Sequence, residues 1–146
     1  MAIRLVDKVR TQMVNAVVVC LSGTAGTGIP ISGTAGSAGA LRVYGGTQPS
    51  AGGGTAGTQE ILVRIDGLSW VAGTNGTATL TASKTGTAGT TGTATWARLS
   101  GTDGTAYIID GVCGTSVAAD FIIDVASITV SAVVTLAAAT IVQPGS

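Results

Sequence analysis

The chain has 146 residues, seven Lys and Arg against seven Asp and Glu, no histidine, 3% aromatic and 10% charged residues. That length suffices for one domain with a real core, and 45% apolar content with so little charge excludes a soluble disordered chain. Scattered cations with zero net charge are a poor basis for nucleic-acid affinity, and the lack of histidine removes the commonest general base.

The pattern predicts a single domain over 1–146, with a helix within 1–20 and a β domain over 40–142. In "MAIRLVDKVRTQMVNAVVVC" the residues Ala2, Val6, Val9, Met13, Ala16 and Cys20 recur at helical spacing. Arg4, Asp7, Lys8, Thr11, Gln12 and Asn15 form the opposite polar stripe. This reads as an amphipathic helix over about 2–17, ended by the β-branched run Val17-Val18-Val19. Its apolar face needs a partner, either this chain's own sheet or a neighbouring subunit. A signal sequence fits less well, because Asp7 interrupts the basic start and Asn15 the apolar stretch.

Residues 22–39 carry neither charge nor aromatic side chain, and "GTAG" recurs at 23–26, 33–36, 54–57 and 86–89. The irregular spacing excludes a solenoid repeat. These stretches, with 46–58 and 85–92, are predicted connecting loops. Between them "ALRVYG" (40–45), "EILVRID" (60–66) and "TATLTAS" (77–83) alternate as strands. "TATWARLSGTDGTAYIIDG" sets Asp103-Gly104 between two alternating runs, the signature of a two-residue hairpin. "ADFIIDV" (119–125) and the uncharged 125–142 complete the chain. In the latter, Ile128, Val130, Ala132, Val134 and Leu136 alternate with Thr129, Ser131, Val133 and Thr135, which describes a strand and not a membrane helix. The fold class expected is mainly β: a small antiparallel sandwich or barrel, jelly-roll-like, with one N-terminal helix and long Gly/Thr/Ala loops.

A search for chemistry finds little. Ser83 stands where a phosphate loop needs glycine before Lys84-Thr85, and "GTSVA" ends in Ala118 instead of the glycine of a nucleophile elbow. Asp66, Asp103 and Asp110 each precede a glycine and read as turn residues. On a strand Asp120 and Asp124 would stand about 13 Å apart, too far to chelate one ion unaided. A calcium site completed by loop carbonyls is the alternative, and no metal or cofactor is assigned. Cys20 and Cys113 read as two buried thiols, with one disulfide as the other option. Trp70, Trp96, Tyr44, Tyr107 and Phe121, scattered singly, read as the large plugs of a small-residue core.

From 93 onwards the chain resembles small proteins encoded among the virion genes of tailed bacteriophages. The likeness rests on Trp96 with Arg98, the Asp103-Gly104-Thr105 turn, Asp110-Gly111, Gly114-Thr115 and a closing strand running into Pro144. The opening helix and "LRVYGGTQP" (41–49) share it, whereas 50–92 match poorly. The resemblance implies a non-enzymatic structural protein located in the virion, assembled in the host cytoplasm. Its partners would be the major capsid protein, or other virion proteins, and further copies of itself, with no nucleic acid and no membrane. Capsid decoration in many copies fits best; a tail or neck component, or a fibre-type host-binding module, is the alternative. A glycan-binding fibre would need exposed loop aromatics, and these loops have none. The candidate assembly contacts are Ile3, Val6, Val9 and Met13 on the helix and Thr24, Ile29, Ile31 and Thr34 in the first loop.

Overall fold

The computed structural model describes residues 39–50, 55–72, 77–100 and 107–142. The predicted helix and the hairpin turn at Asp103-Gly104 lie outside them. The described residues are mainly strand and contain no helix. In chain order the strands are β1 (Gly39–Tyr44), β2 (Ile61–Leu68), β3 (Trp70–Ala72), β4 (Thr77–Leu80), β5 (Lys84–Thr87) and β6 (Gly92–Thr93). They continue with β7 (Trp96–Ser100), β8 (Tyr107–Gly114), β9 (Phe121–Ile123), β10 (Ser127–Ile128) and β11 (Val133–Val142).

Nine of these form one sheet in the order β2-β1-β7-β8-β9-β11-β4-β3, with β5 also on β11, while β6 and β10 pair separately. Pairing is antiparallel except between β8 and β9, which run parallel with Cys113 opposite Phe121. The mainly β class is as expected; among these residues the sheet curls into an open half-barrel. Its curl brings β5 back to β2. There Ala88 bridges Val63, and the Gly89 N–H donates to the Leu62 carbonyl at 2.9 Å.

The concave side holds the core. Leu41 and Val43 of β1, Val63 and Ile65 of β2, Ala97 and Leu99 of β7, and Val134 and Leu136 of β11 pack there with Trp70, Phe121 and Ile123. Burying each large aliphatic side chain stabilises the fold by about 1.5–3 kcal/mol. Trp70 and Phe121 are core plugs, as their isolation in the sequence suggests.

Three local expectations are corrected. Residues 85–92 are not a plain loop: β5 pairs with β11 through Thr87–Val133 to Lys84–Leu136. Thr85 and Thr87 are good strand residues, and glycine at 86 is required because a Cβ there would collide with the Arg64 carbonyl oxygen. The closing strand does not alternate from Ile128. Ile128 belongs to β10, Val130 and Ser131 form a turn in which Ser131 has φ 69°, and β11 starts at Val133. Further along, an irregularity between Leu136 and Ala138 resets the pattern, so that Ala139 is buried. Asp66 and Asp110 are not turn residues but lie within β2 and β8. Gly67, with φ 72°, belongs to a bulge against β1, and Arg64 pairs with Asp66 on the strand's exposed face at 2.8 Å.

Candidate functional site

β1 and β7 are central, and every residue of both is buried. Alternate side chains of each point into the core. The others (Ala40, Arg42, Tyr44, Trp96, Arg98 and Ser100) share the opposite, convex face. This face carries the most concentrated polar and aromatic chemistry among the described residues.

Arg98 stands opposite Asp110 of β8. Its Nε donates to Oδ1 at 2.5 Å and its Nη2 to Oδ2 at 2.6 Å, a bidentate pair with 1% and 2% of the side chains exposed. The guanidinium carbon also lies 5.3 Å from the centre of the Trp96 ring. Tyr44, opposite Trp96 across the strand pair, stacks on that indole at 4.3 Å with a 9° interplanar angle. Two of the aromatics are therefore a pair and not isolated plugs; Tyr107's side chain lies outside the described residues. The Trp96 indole N–H donates to Gln59 Oε1 at 2.9 Å, and Gln59 Nε2 donates to the Thr47 carbonyl at 2.8 Å. Arg42 Nη1 donates to Ser100 Oγ at 2.8 Å, and that hydroxyl donates to the Ala40 carbonyl at 3.3 Å.

Such a cluster binds strands together. Arg98 and Asp110 neutralise one another out of reach of water, and their bidentate pair fixes the β7–β8 register geometrically. It offers no accessible acid, base or nucleophile.

Asp120 and Asp124, like Asp66, are also engaged. Asp120 Oδ2 accepts the Val112 N–H at 2.8 Å, which ties the short 115–120 connection back onto β8. Gly111 makes this possible: a Cβ there would stand 2.9 Å from both Asp120 Oδ2 and Phe121 Cε2. Close backbone approach, not a turn, explains the Asp110-Gly111 pair. Asp124 Oδ1 accepts the Thr135 N–H at 2.9 Å. Among the described residues no three His, Cys, Asp or Glu side chains gather as a metal group would require. Cys113 is a free, buried thiol whose pKa burial pushes up to about 12, so it is not a nucleophile at neutral pH. Cys20 lies outside the described residues.

One shallow cleft of about 260 Å³ sits between the 115–120 connection and β11, walled by Val117, Ala118, Ile122, Ala138 and Thr140 beside Asp120. Its single carboxylate is the one already tied to Val112. Among the described residues there is no helix long and apolar enough to cross a membrane. The candidate contacts Ile3, Val6, Val9, Met13, Thr24, Ile29, Ile31 and Thr34 all lie outside the described residues.

Sequence reasoning missed the Arg98–Asp110 pair, although the hairpin contains its signal. A two-residue turn at 103–104 sets Ser100 opposite Tyr107, as observed. Continued regularly, it would put Arg98 opposite Ile109; an irregularity between Leu99 and Ser100 moves Asp110 there instead. Comparison with protein-family models, with curated proteins and with solved structures finds no match.

Proposed function

We propose that the chain is a non-enzymatic structural protein of a tailed-phage virion, a decoration protein held in many copies on the head shell by the major capsid protein. The observation that carries this reading is where the resemblance falls in space. Tyr44, Trp96, Arg98 and Asp110-Gly111, drawn from separate stretches that look like the virion proteins, meet in one buried cluster across β1, β7 and β8. The likeness therefore lies in residues that build a scaffold, and scaffold residues are what related structural proteins would share. The engagement of Asp66, Asp110, Asp120 and Asp124 and the buried Cys113 thiol favour a structural role over catalysis. Exposed Val117, Val130, Val133 and Val142 add uncharged surface suited to weak contacts, which many copies would compensate.

The test is the copy number of the protein in purified particles, by quantitative mass spectrometry against the major shell protein. A number comparable to the shell protein supports decoration. A handful per particle moves the protein to the neck, tail or a fibre, and absence removes it from the virion.

A further inference from the structure

We propose that Asp66-Gly67, on the exposed face of β2, is a site of spontaneous covalent modification, where the backbone rearranges through a succinimide to isoaspartate, and that the fold protects Asp110-Gly111 from the same change. The proposal does not depend on the virion reading. It rests on how differently the structure holds the same dipeptide at two places. The third, Asp103-Gly104, lies outside the described residues.

In this reaction the Gly67 backbone nitrogen attacks Cγ of Asp66. A C–N bond forms, and the hydroxyl of the protonated carboxyl departs as water with the amide proton. Water then adds back to the five-membered ring. Cleaving the new C–N bond restores aspartate. Cleaving the original peptide bond leaves the chain linked through Cγ, with a free α-carboxylate. Mass is unchanged, and no reactant other than water is needed.

Cyclisation requires a carboxyl free to swing towards the next nitrogen, a following residue that does not obstruct it, and a backbone able to turn. Asp66 satisfies all three. Its side chain is 60% exposed, and its Oδ1 is held at 2.8 Å by an Arg64 side chain that is itself 47% exposed, a weak restraint in water. The β1–β2 register slips between Gly39 and Leu41, so Asp66 and Gly67 together oppose Ala40. A bulge of this kind leaves one residue outside the ladder. Gly67 has φ 72° and nothing within 4 Å of the position of a Cβ, so the backbone there has room to rotate.

Asp110-Gly111 fails each requirement. Both carboxylate oxygens are taken by Arg98, and 2% of the side chain is exposed. The ladder is regular where Ala97 faces Gly111 and Arg98 faces Asp110. A Cβ at Gly111 would stand 2.9 Å from Asp120 Oδ2 and from Phe121 Cε2, so there is no free space around the amide. One dipeptide with one intrinsic reactivity is thus set loose in β2 and locked in β8.

The experiment incubates the full chain for several weeks at neutral pH in water enriched in heavy oxygen, once native and once unfolded in guanidinium chloride. Each passage through the ring leaves one heavy oxygen at the site. Electron-transfer fragmentation of the digested chain then locates the label and the isoaspartate residue by residue, with Asp103 read separately. Each site is compared with itself. Asp66 should convert in the native chain within about ten-fold of its unfolded rate, because only local rotation is needed. Asp110 should fall on the order of 100-fold or more below its own unfolded rate, because its buried ion pair must break first. Protection of Asp66 as strong as that of Asp110 would mean that both react only through global unfolding, and would overturn the proposal. So would an Asp66 without label in the native chain after the unfolded chain has converted.

Discussion

Arg98 and Asp110 face each other across β7 and β8 and close a bidentate ion pair from which water is excluded. A pair of this kind contributes little against a well-packed apolar substitute, yet breaking it leaves one charge stranded. Asp110→Ala should therefore cost about 3–5 kcal/mol, and the double change Arg98→Met with Asp110→Leu should recover most of that. Urea denaturation of the three chains measures it. A single variant within experimental error of the parent would show that the pair does not hold the strands.

The two glycines of one "GTAG" word respond differently to a methyl group. Gly86 lies against the Arg64 backbone, whereas nothing stands within 4 Å of a Cβ at Gly89. Gly86→Ala should destabilise by about 1–3 kcal/mol, and Gly89→Ala should fall within about 0.5 kcal/mol of the parent. Thermal melts of both chains decide; equal effects would contradict the close approach of β5 to β2.

The Trp70 indole N–H is buried without a hydrogen-bond partner, while that of Trp96 is bonded to Gln59. Replacing Trp70 with Phe loses apolar area but relieves an unsatisfied donor, so its stability should stay within about 1 kcal/mol of the parent. Trp96→Phe loses the bond and leaves the Gln59 carbonyl unpaired, and should cost about 2 kcal/mol more. The reverse ranking in urea would refute the assignment of partners.

Burial raises the Cys113 pKa from 9.0 to about 12, so the folded chain holds this proton more tightly than the unfolded chain. The associated stability is fully present below pH 9 and is lost as pH rises towards about 12. The loss cannot exceed about 1.4 kcal/mol per pH unit for one proton. Cys113→Ala should flatten the fall of stability over that window, and the native thiol should resist iodoacetamide at pH 8 until the chain is unfolded. Rapid native labelling would be incompatible with the buried site.

Strand positions were legible wherever side chains alternate strictly, as in 61–66 and on both arms of the hairpin, because period two is a property of the chain alone. Lys84–Thr87 was not legible. Threonine and glycine suit loops as well as strands, and only the presence of β11 on one side and the Arg64 backbone on the other decides between them. The two central strands hide their second burial in the same way. Arg42, Trp96 and Arg98 look like the wet side of an alternating pattern, and the pattern alone does not show that this side is buried as well. The ion pair was missed by one residue, since an irregularity in one strand shifts register without leaving a mark in composition.

β11 pairs with β9 on one side and with β5 and β4 on the other, and it follows every other strand in the chain. During synthesis those three partners emerge from the ribosome first and must wait with their edges unpaired until residues 133–142 arrive. The hairpin of β7 and β8 can close early, but the sheet cannot. A nascent chain stalled before residue 133 therefore presents open strand edges to its neighbours on the polysome, and that interval is when this protein is most prone to aggregate.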